Sequence, residues 1–389
     1  MPAISVRDIQ LKDDSTCVCA DLVAGTHGRG FWILDNVTPL RQAADARAAQ
    51  ERGEAFLFKP ATAVRVRHGT NDPTPWPPEL PAGQNPLPGG IIDYNLAKDA
   101  SGPITLEIVD ATGKVVRHYS SDDRVRDPNP ALDPVAYDKL CQQTPTAPDC
   151  ALPLYWPAKP IRLTTRAGFH RFTWDLHYDA IGEDPDAGDE GATGAVPYHT
   201  YDMPYSPWAP PGQYTVRLTV DSTRYTQPIT LRLDPRVKTS AADLAQLHSV
   251  TRQTYDAAVA AHAAFEQARA LIAELDSLTG SDVSAFKAQV EALAPASAVG
   301  RRRGFGGPPG GAAAPLNLES ASNAMMVAAM AMQGADVAPT ARQVATAARA
   351  RADAGAPMRA WTALKTSGLA AFNAKRQASG QPPVALPPG

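Results

Sequence analysis

No stretch of this sequence is apolar for the ~20 residues that a membrane-spanning helix needs; the longest candidate, Met325–Met332, is too short and alanine-rich. The first residues, Met-Pro-Ala-Ile-Ser-Val-Arg-Asp, have no apolar signal core, so a chain that truly starts at Met1 stays in the cytoplasm. An excess of positive charge is also missing: the net charge is -3, which argues against nucleic acid as a general partner. No Cys-x-x-Cys or Cys/His cluster has zinc spacing. Neither a nucleophile elbow, a phosphate loop nor a dinucleotide fingerprint occurs, so no cofactor is expected.

Cysteine is scarce, with four residues. Cys17 and Cys19 alternate in a hairpin, a poor spacing for a mutual disulfide. Cys141 and Cys150 bracket a polar loop; they read either as a disulfide formed in an oxidising compartment or as two separate thiols.

What is abundant is proline, 37 residues, much of it clustered in loops. Short apolar runs over residues 5–11, 21–25 and 31–34 predict strands, the last two separated by the glycine-dense turn Gly25–Gly30. Thr38-Pro39 predicts a capped helix start, with the helix running to about Gln50. From 55 to 238, alternating runs at 56–67, 91–96, 104–109, 114–119, 169–176, 212–220 and 225–233 predict about seven strands of an antiparallel sandwich. Two insertions, 121–160 and 177–211, interrupt it. From Ser240 the period becomes helical. Leu244, Thr251, Ala258, Phe265 and Ile272 form one seam, and Leu247, Thr254, Ala261, Ala268 and Leu275 a second, so an antiparallel bundle is expected over 239–389. Its Gly/Pro-rich stretch 299–315 reads as a disordered linker, and Pro357 should kink or restart the last helix.

The run Asp21–Asp35, Asp-Leu-Val-Ala-Gly-Thr-His-Gly-Arg-Gly-Phe-Trp-Ile-Leu-Asp, resembles the last blade of sortilin-like, BNR-repeat β-propeller proteins often labelled glycosyl hydrolases; Thr38–Gln42 is similar to the segment that comes after that blade in the family. Ser101–Ile108, Phe169–Leu176 and Pro210–Val216 resemble the family's C-terminal immunoglobulin-like sandwich, a domain of the kind also found in the flagellar hook-capping protein. The resemblance implies a multidomain β-plus-α chain: a blade remnant over 1–37, a helical linker over 38–54, the sandwich over 55–238 and the helical region. It also implies a periplasmic or secreted life. A propeller closes only with about four or more blades, and 35 residues furnish one, so Met1 is expected to lie inside a longer parental protein. The expected role is a non-catalytic accessory region, partnered by the upstream propeller or by itself as an oligomer; the alternatives are a glycosidase-like hydrolase active only as the full-length parent, or a carbohydrate-binding or adhesion module.

Candidate chemistry is sparse. Glycoside hydrolysis takes two carboxylates, and Asp21 and Asp35 flank the blade motif, where strand-end acids would also sit. No catalytic residue is assigned. His27 and Arg29 lie on the glycine turn, where a propeller would present them to an anionic or sugar ligand; their plainer role is to satisfy the turn. Asp184, Asp186 and Asp189 are of the residue type that binds calcium but lack the full calcium-loop spacing; their plainer reading is a solvated acidic loop. Trp156 and Trp208, with Trp174, Tyr198, Tyr201 and Tyr205, lie in or beside the insertions; such rings stack on sugars or plug sandwich ends. Arg301–Arg303 reads as solvated charge.

Overall fold

The structure of the protein is a computed structural model that describes residues 3–14, 19–67, 89–125, 132–145, 162–182, 206–296 and 316–387, with positions 79, 128, 129 and 150. It is a mixed α/β chain that divides into two units, Met1–Val237 and Lys238–Gly389.

The first unit opens with a meander: β1 (Val6–Asp14), β2 (Cys19–Thr26) and β3 (Phe31–Leu34) pair antiparallel in that order. The β2–β3 turn closes through the Thr26 amide and hydroxyl, both donated to the Gly30 carbonyl, with Gly28 and Gly30 at positive φ. The expected Thr38 cap is replaced. A 3₁₀ turn, Thr38–Gln42, precedes α1 (Ala43–Glu51), and the Asn36 side chain accepts from the Thr38 amide.

The remaining strands are β4 (Phe56–Leu57), β5 (Ala63–Arg65), β6 (Gly90–Leu96), β7 (Thr105–Asp110), β8 (Val115–Ser120), β9 (Gly168–Trp174), β10 (Gly212–Val220) and β11 (Thr223–Leu233). They build a five-stranded sheet, β5-β11-β10-β7-β8, and a three-stranded sheet, β4-β6-β9. Two expectations are corrected. The single strand expected over 56–67 is two strands in different sheets, because Pro60 lies between them and cannot donate to a ladder. The pairing is not wholly antiparallel: β5 runs parallel to β11. The β10–β11 hairpin turns on Asp221 and Ser222, both at positive φ, as the twist of a two-residue hairpin loop requires.

Both sheets contribute to one core. Ile92, Tyr94, Phe172 and Trp174 from the smaller sheet meet Leu106, Ile108, Val216, Leu218 and Ile229 from the larger. Each fully buried side chain of this size contributes about 1.5–3 kcal/mol relative to exposure. Trp174 meets the Tyr214 ring edge-on at 5.2 Å. The insertion at 121–160 holds a helix, α2 (Pro134–Gln143), and Cys141 is disulfide-bonded to Cys150. Two residues mark the start of that helix: Asp133 caps the Ala136 amide and Pro134 occupies the first position.

The second unit contains α3 (Ala241–Asp276), α4 (Ser281–Leu293), α5 (Leu318–Met330), α6 (Ala341–Ala363), a π-helical turn Leu364–Gly368, and α7 (Leu369–Ala378). Ser240 caps α3 by accepting the Asp243 amide, and both expected seams of α3 are inward, with all their members but Leu244 buried. Small residues let α5 approach α3 closely enough for the Ser322 hydroxyl to reach the Ala258 carbonyl at 2.9 Å. Pro357 neither restarts nor ends α6. It lies buried inside it, and the irregular turn comes seven residues later. No described helix is long and apolar enough to cross a membrane.

Candidate functional site

The β1–β3 sheet has one apolar face and one mixed face. The register puts Ile9, Leu11, Leu22, Ala24, Trp32 and Leu34 on one face, and Val23, Phe31 and Ile33 on the other beside Asp8, Gln10, Lys12 and Asp21. Large apolar side chains of this kind usually face a core, yet here Phe31 is 80% exposed, Ile33 61% and Ile9 57%. Among the described residues β3 pairs only with β2, so its outer edge presents Phe-Trp-Ile-Leu without a charge or proline to blunt it. His27 and Arg29 stand at the end of this sheet on the exposed β2–β3 turn; the His27 amide donates to the Ser5 carbonyl.

Asp21 and Asp35 meet where β3 runs out toward the 3₁₀ turn before α1. Asp21 Oδ1 accepts the Asn36 amide at 2.9 Å, with Asn36 at φ +56°. Burial and the neighbouring Asp21 raise the Asp35 carboxyl above its usual range, opposed by Arg171. Arg171 does not pair with that carboxylate. Its guanidinium donates to the carbonyls of Asp35 and Asn36 at 3.1 and 3.2 Å and to both carboxylate oxygens of Asp93 at 2.8 and 3.2 Å. Asp21 is thus committed to the backbone, and the pair sits at a joint between elements.

A second polar cluster closes the end of β9, and sequence reasoning missed it. Leu176 takes φ +64°, a strained setting for a branched residue, and turns Asp175 and His177 toward one another. The Asp175 carboxylate accepts the His177 amide at 2.9 Å and Arg117 Nη2 at 3.0 Å. His177 Nδ1 lies 2.8 Å from the Asp175 carbonyl; a carbonyl only accepts, so Nδ1 carries the hydrogen. Burial drives the His177 pKa down to about 3, and burial raises Asp175 against the pull of Arg117. The imidazole is therefore neutral throughout the physiological range. Its ring packs on Trp208 with centroids 3.8 Å apart, and the Arg65 and Arg67 guanidiniums lie 5.9 and 5.3 Å from the Trp208 ring. Backbone bonds from Tyr178 to Pro207 and from Ala209 to Leu176 pin the two ends of the 177–211 insertion together. Trp208 is thereby drawn into packing as part of a clamp. The one legible signal was the Asp-Leu-His-Tyr run directly after a strand.

The other sequence-derived candidates, Trp156, Asp184, Asp186 and Asp189, lie outside the described residues, as do Tyr198, Tyr201, Tyr205 and Arg301–Arg303. Among the described residues no three His, Cys, Asp or Glu side chains converge as metal ligands would. Comparison with protein-family models, with characterised proteins and with solved structures gives no match.

Proposed function

We propose that this chain is a non-catalytic accessory region that packs on, or braces, a propeller-type β-domain of an extracytoplasmic protein, using the β1–β3 sheet. The observation that carries this reading is the set of exposed apolar side chains on the two faces of the sheet, Ile9 on one and Phe31 and Ile33 on the other, bounded by the open β3 edge. Exposed apolar patches of this kind mark contact surfaces, and a sheet bare on both faces fits between two neighbouring sheets. The blade-like run Asp21–Asp35 points the same way, as does the resemblance of Ser101–Ile108, Phe169–Leu176 and Pro210–Val216 to an immunoglobulin-like sandwich. The Cys141–Cys150 disulfide accords with an oxidising compartment.

Three measurements test the proposal. The isolated chain should bind an apolar-surface dye and self-associate in sedimentation velocity, and the double variant Phe31→Lys/Ile33→Glu should lose both properties while keeping its circular dichroism spectrum. The same chain should show no turnover of aryl glycosides. Turnover abolished by Asp35→Asn would replace the accessory role with a hydrolytic one.

A further inference from the structure

After α7 the chain reverses and lies back along its own helix. The reversal is a Schellman turn: the Gly380 amide donates to the Gln377 carbonyl and the Gln381 amide to the Arg376 carbonyl, with Gly380 at φ +73°. Pro382 and Pro383 then hold the strap Gln381–Pro387 extended, which lowers the entropy lost on docking it.

Three helix side chains hold the strap, each through its backbone. Asn373 receives the Val384 amide on Oδ1 and donates Nδ2 to the Val384 carbonyl, both at 2.8 Å. Arg376, 3% exposed, donates Nε to the Pro382 carbonyl at 2.9 Å, and its guanidinium lies 5.7 Å from the Phe372 ring. No carboxylate among the described residues pairs with Arg376. Gln267, from α3, donates to the Pro387 carbonyl at 2.8 Å. Val384 and Leu386 supply the apolar anchors, packing against the cluster that holds Phe286, Phe372 and Leu271. Main-chain bonds set position and alternate side chains enter the apolar surface; peptide-recognition grooves divide the labour in this way.

We propose that the α3–α7 groove is a docking site for an extended, proline-led peptide, that Gln381–Pro387 occupies it in cis, and that the same strap of a second copy of this chain exchanges into it. The strap is suited to exchange. It is joined to α7 by one glycine turn, its polar contacts run to three side chains, and Gln381, Pro382, Pro383 and Ala385 are exposed. When the strap leaves, the side chains of Asn373, Arg376 and Gln267 are freed to bond water or an incoming strap.

The probe is a dye-labelled peptide of residues 381–389, titrated by anisotropy into the chain stopped after Gly380. Saturable one-to-one binding is expected. It should be at least tenfold weaker to the uninterrupted chain, where the resident strap competes, and at least tenfold weaker when the stopped chain also carries Asn373→Ala. Mixing the stopped chain with the uninterrupted Asn373→Ala chain, both also carrying Phe31→Lys/Ile33→Glu to silence association through the β1–β3 sheet, should give a heterodimer in sedimentation velocity, since one supplies an open groove and the other a loosened strap. Should the stopped chain not fold, the uninterrupted Leu386→Asp chain, which loses one anchor, takes its place in both experiments. Absence of saturable binding to a folded chain overturns the proposal. So does equal binding regardless of Asn373, and so does loss of folding in both variants, which would make the strap a part of the core. Peptide binding without a heterodimer overturns the second copy as occupant.

Discussion

Arg171 grips both carboxylate oxygens of Asp93, and the same guanidinium reaches the carbonyls of Asp35 and Asn36, so one side chain ties the opening meander to the β6–β9 pair. The Asp93 side chain is 3% exposed, and burial raises its carboxyl even though Arg171 pulls it down. Desolvation outweighs the attraction here, as it commonly does for buried ion pairs. Removing one partner should therefore cost more than removing both. Arg171→Met should destabilise the first unit by about 3 kcal/mol, and Arg171→Met/Asp93→Leu by less. Urea unfolding of the two variants checks this; a double variant at least as unstable as Arg171→Met would overturn it.

Phe31 and Ile229 test where apolar side chains contribute to folding. Phe31 is solvent-facing whereas Ile229 is fully buried between the sheets. Phe31→Lys should change the unfolding free energy by no more than about 0.5 kcal/mol, the range for exposed sites. Ile229→Ala should cost about 2–5 kcal/mol, through lost transfer energy and the cavity left behind. Denaturant midpoints at equal m-value distinguish the two. A large cost at Phe31 would mean that the meander faces are already covered within the chain.

Acid should weaken the first unit through His177. An unfolded histidine titrates near pH 6.5, whereas the folded His177 resists protonation down to about pH 3. Between those limits the unfolded chain takes up a proton that the folded chain refuses, so stability falls as pH falls, by at most about 1.4 kcal/mol per pH unit. The nearby arginines, Arg117, Arg65 and Arg67, stay charged throughout and reinforce the refusal. Asp175 and Asp179 act oppositely: their raised carboxyl pKa values let the folded state gain protons first, which favours folding as pH drops toward 3.8. His177→Gln should flatten the profile between pH 6.5 and 4. Urea midpoints at pH 7, 5.5 and 4, followed by tryptophan fluorescence, give the comparison, and parallel profiles would remove His177 as the cause.

Joining Cys141 to Cys150 closes a loop of nine residues' separation at the end of α2. Short loops of this size restrict the unfolded chain by about 2–3 kcal/mol. Cys141→Ser/Cys150→Ser should speed hydrogen exchange in Pro134–Gln143 and leave exchange in β6, β7 and β10 unchanged. Equal acceleration in those strands would mean that the α2 loop and the two sheets open together.

Local signals carried much of this architecture. The alternation at Ile104–Val109, the Asp110–Gly113 turn and the Ser240 cap all recur as elements, because each depends on neighbours in sequence. The two seams of α3 were readable for the same reason. Long-range pairing was not readable: nothing local tells that Ala63–Arg65 leaves the sheet of Phe56–Leu57 to run parallel to Leu231–Leu233. The Asp175–His177–Trp208 clamp joins residues some thirty positions apart through a positive-φ leucine, a conformation that no local sequence rule assigns to leucine. The strap contacts of Asn373 and Arg376 were hidden likewise, since an Asn and an Arg on a helix ordinarily face water.

Gly89 has no room for a side chain. It stands at φ +115°, where non-glycine residues are strained, and a Cβ there would lie 2.2 Å from the Trp174 carbonyl oxygen and 2.8 Å from Thr173 Cγ2. The obstacle is the backbone of β9 rather than a mobile side chain, so the strand itself would have to retreat. Trp174 anchors the shared core, and displacing it would loosen its edge contact with Tyr214 as well. Gly89→Ala should therefore cost more than about 3 kcal/mol, combining backbone strain with overpacking. By contrast Gly102→Ala, where a Cβ meets nothing within 4 Å and φ is not positive, should be close to neutral or slightly stabilising. Thermal unfolding of the two variants side by side checks the contrast, and a Gly89→Ala protein as stable as Gly102→Ala would show that the β6–β9 edge yields without cost.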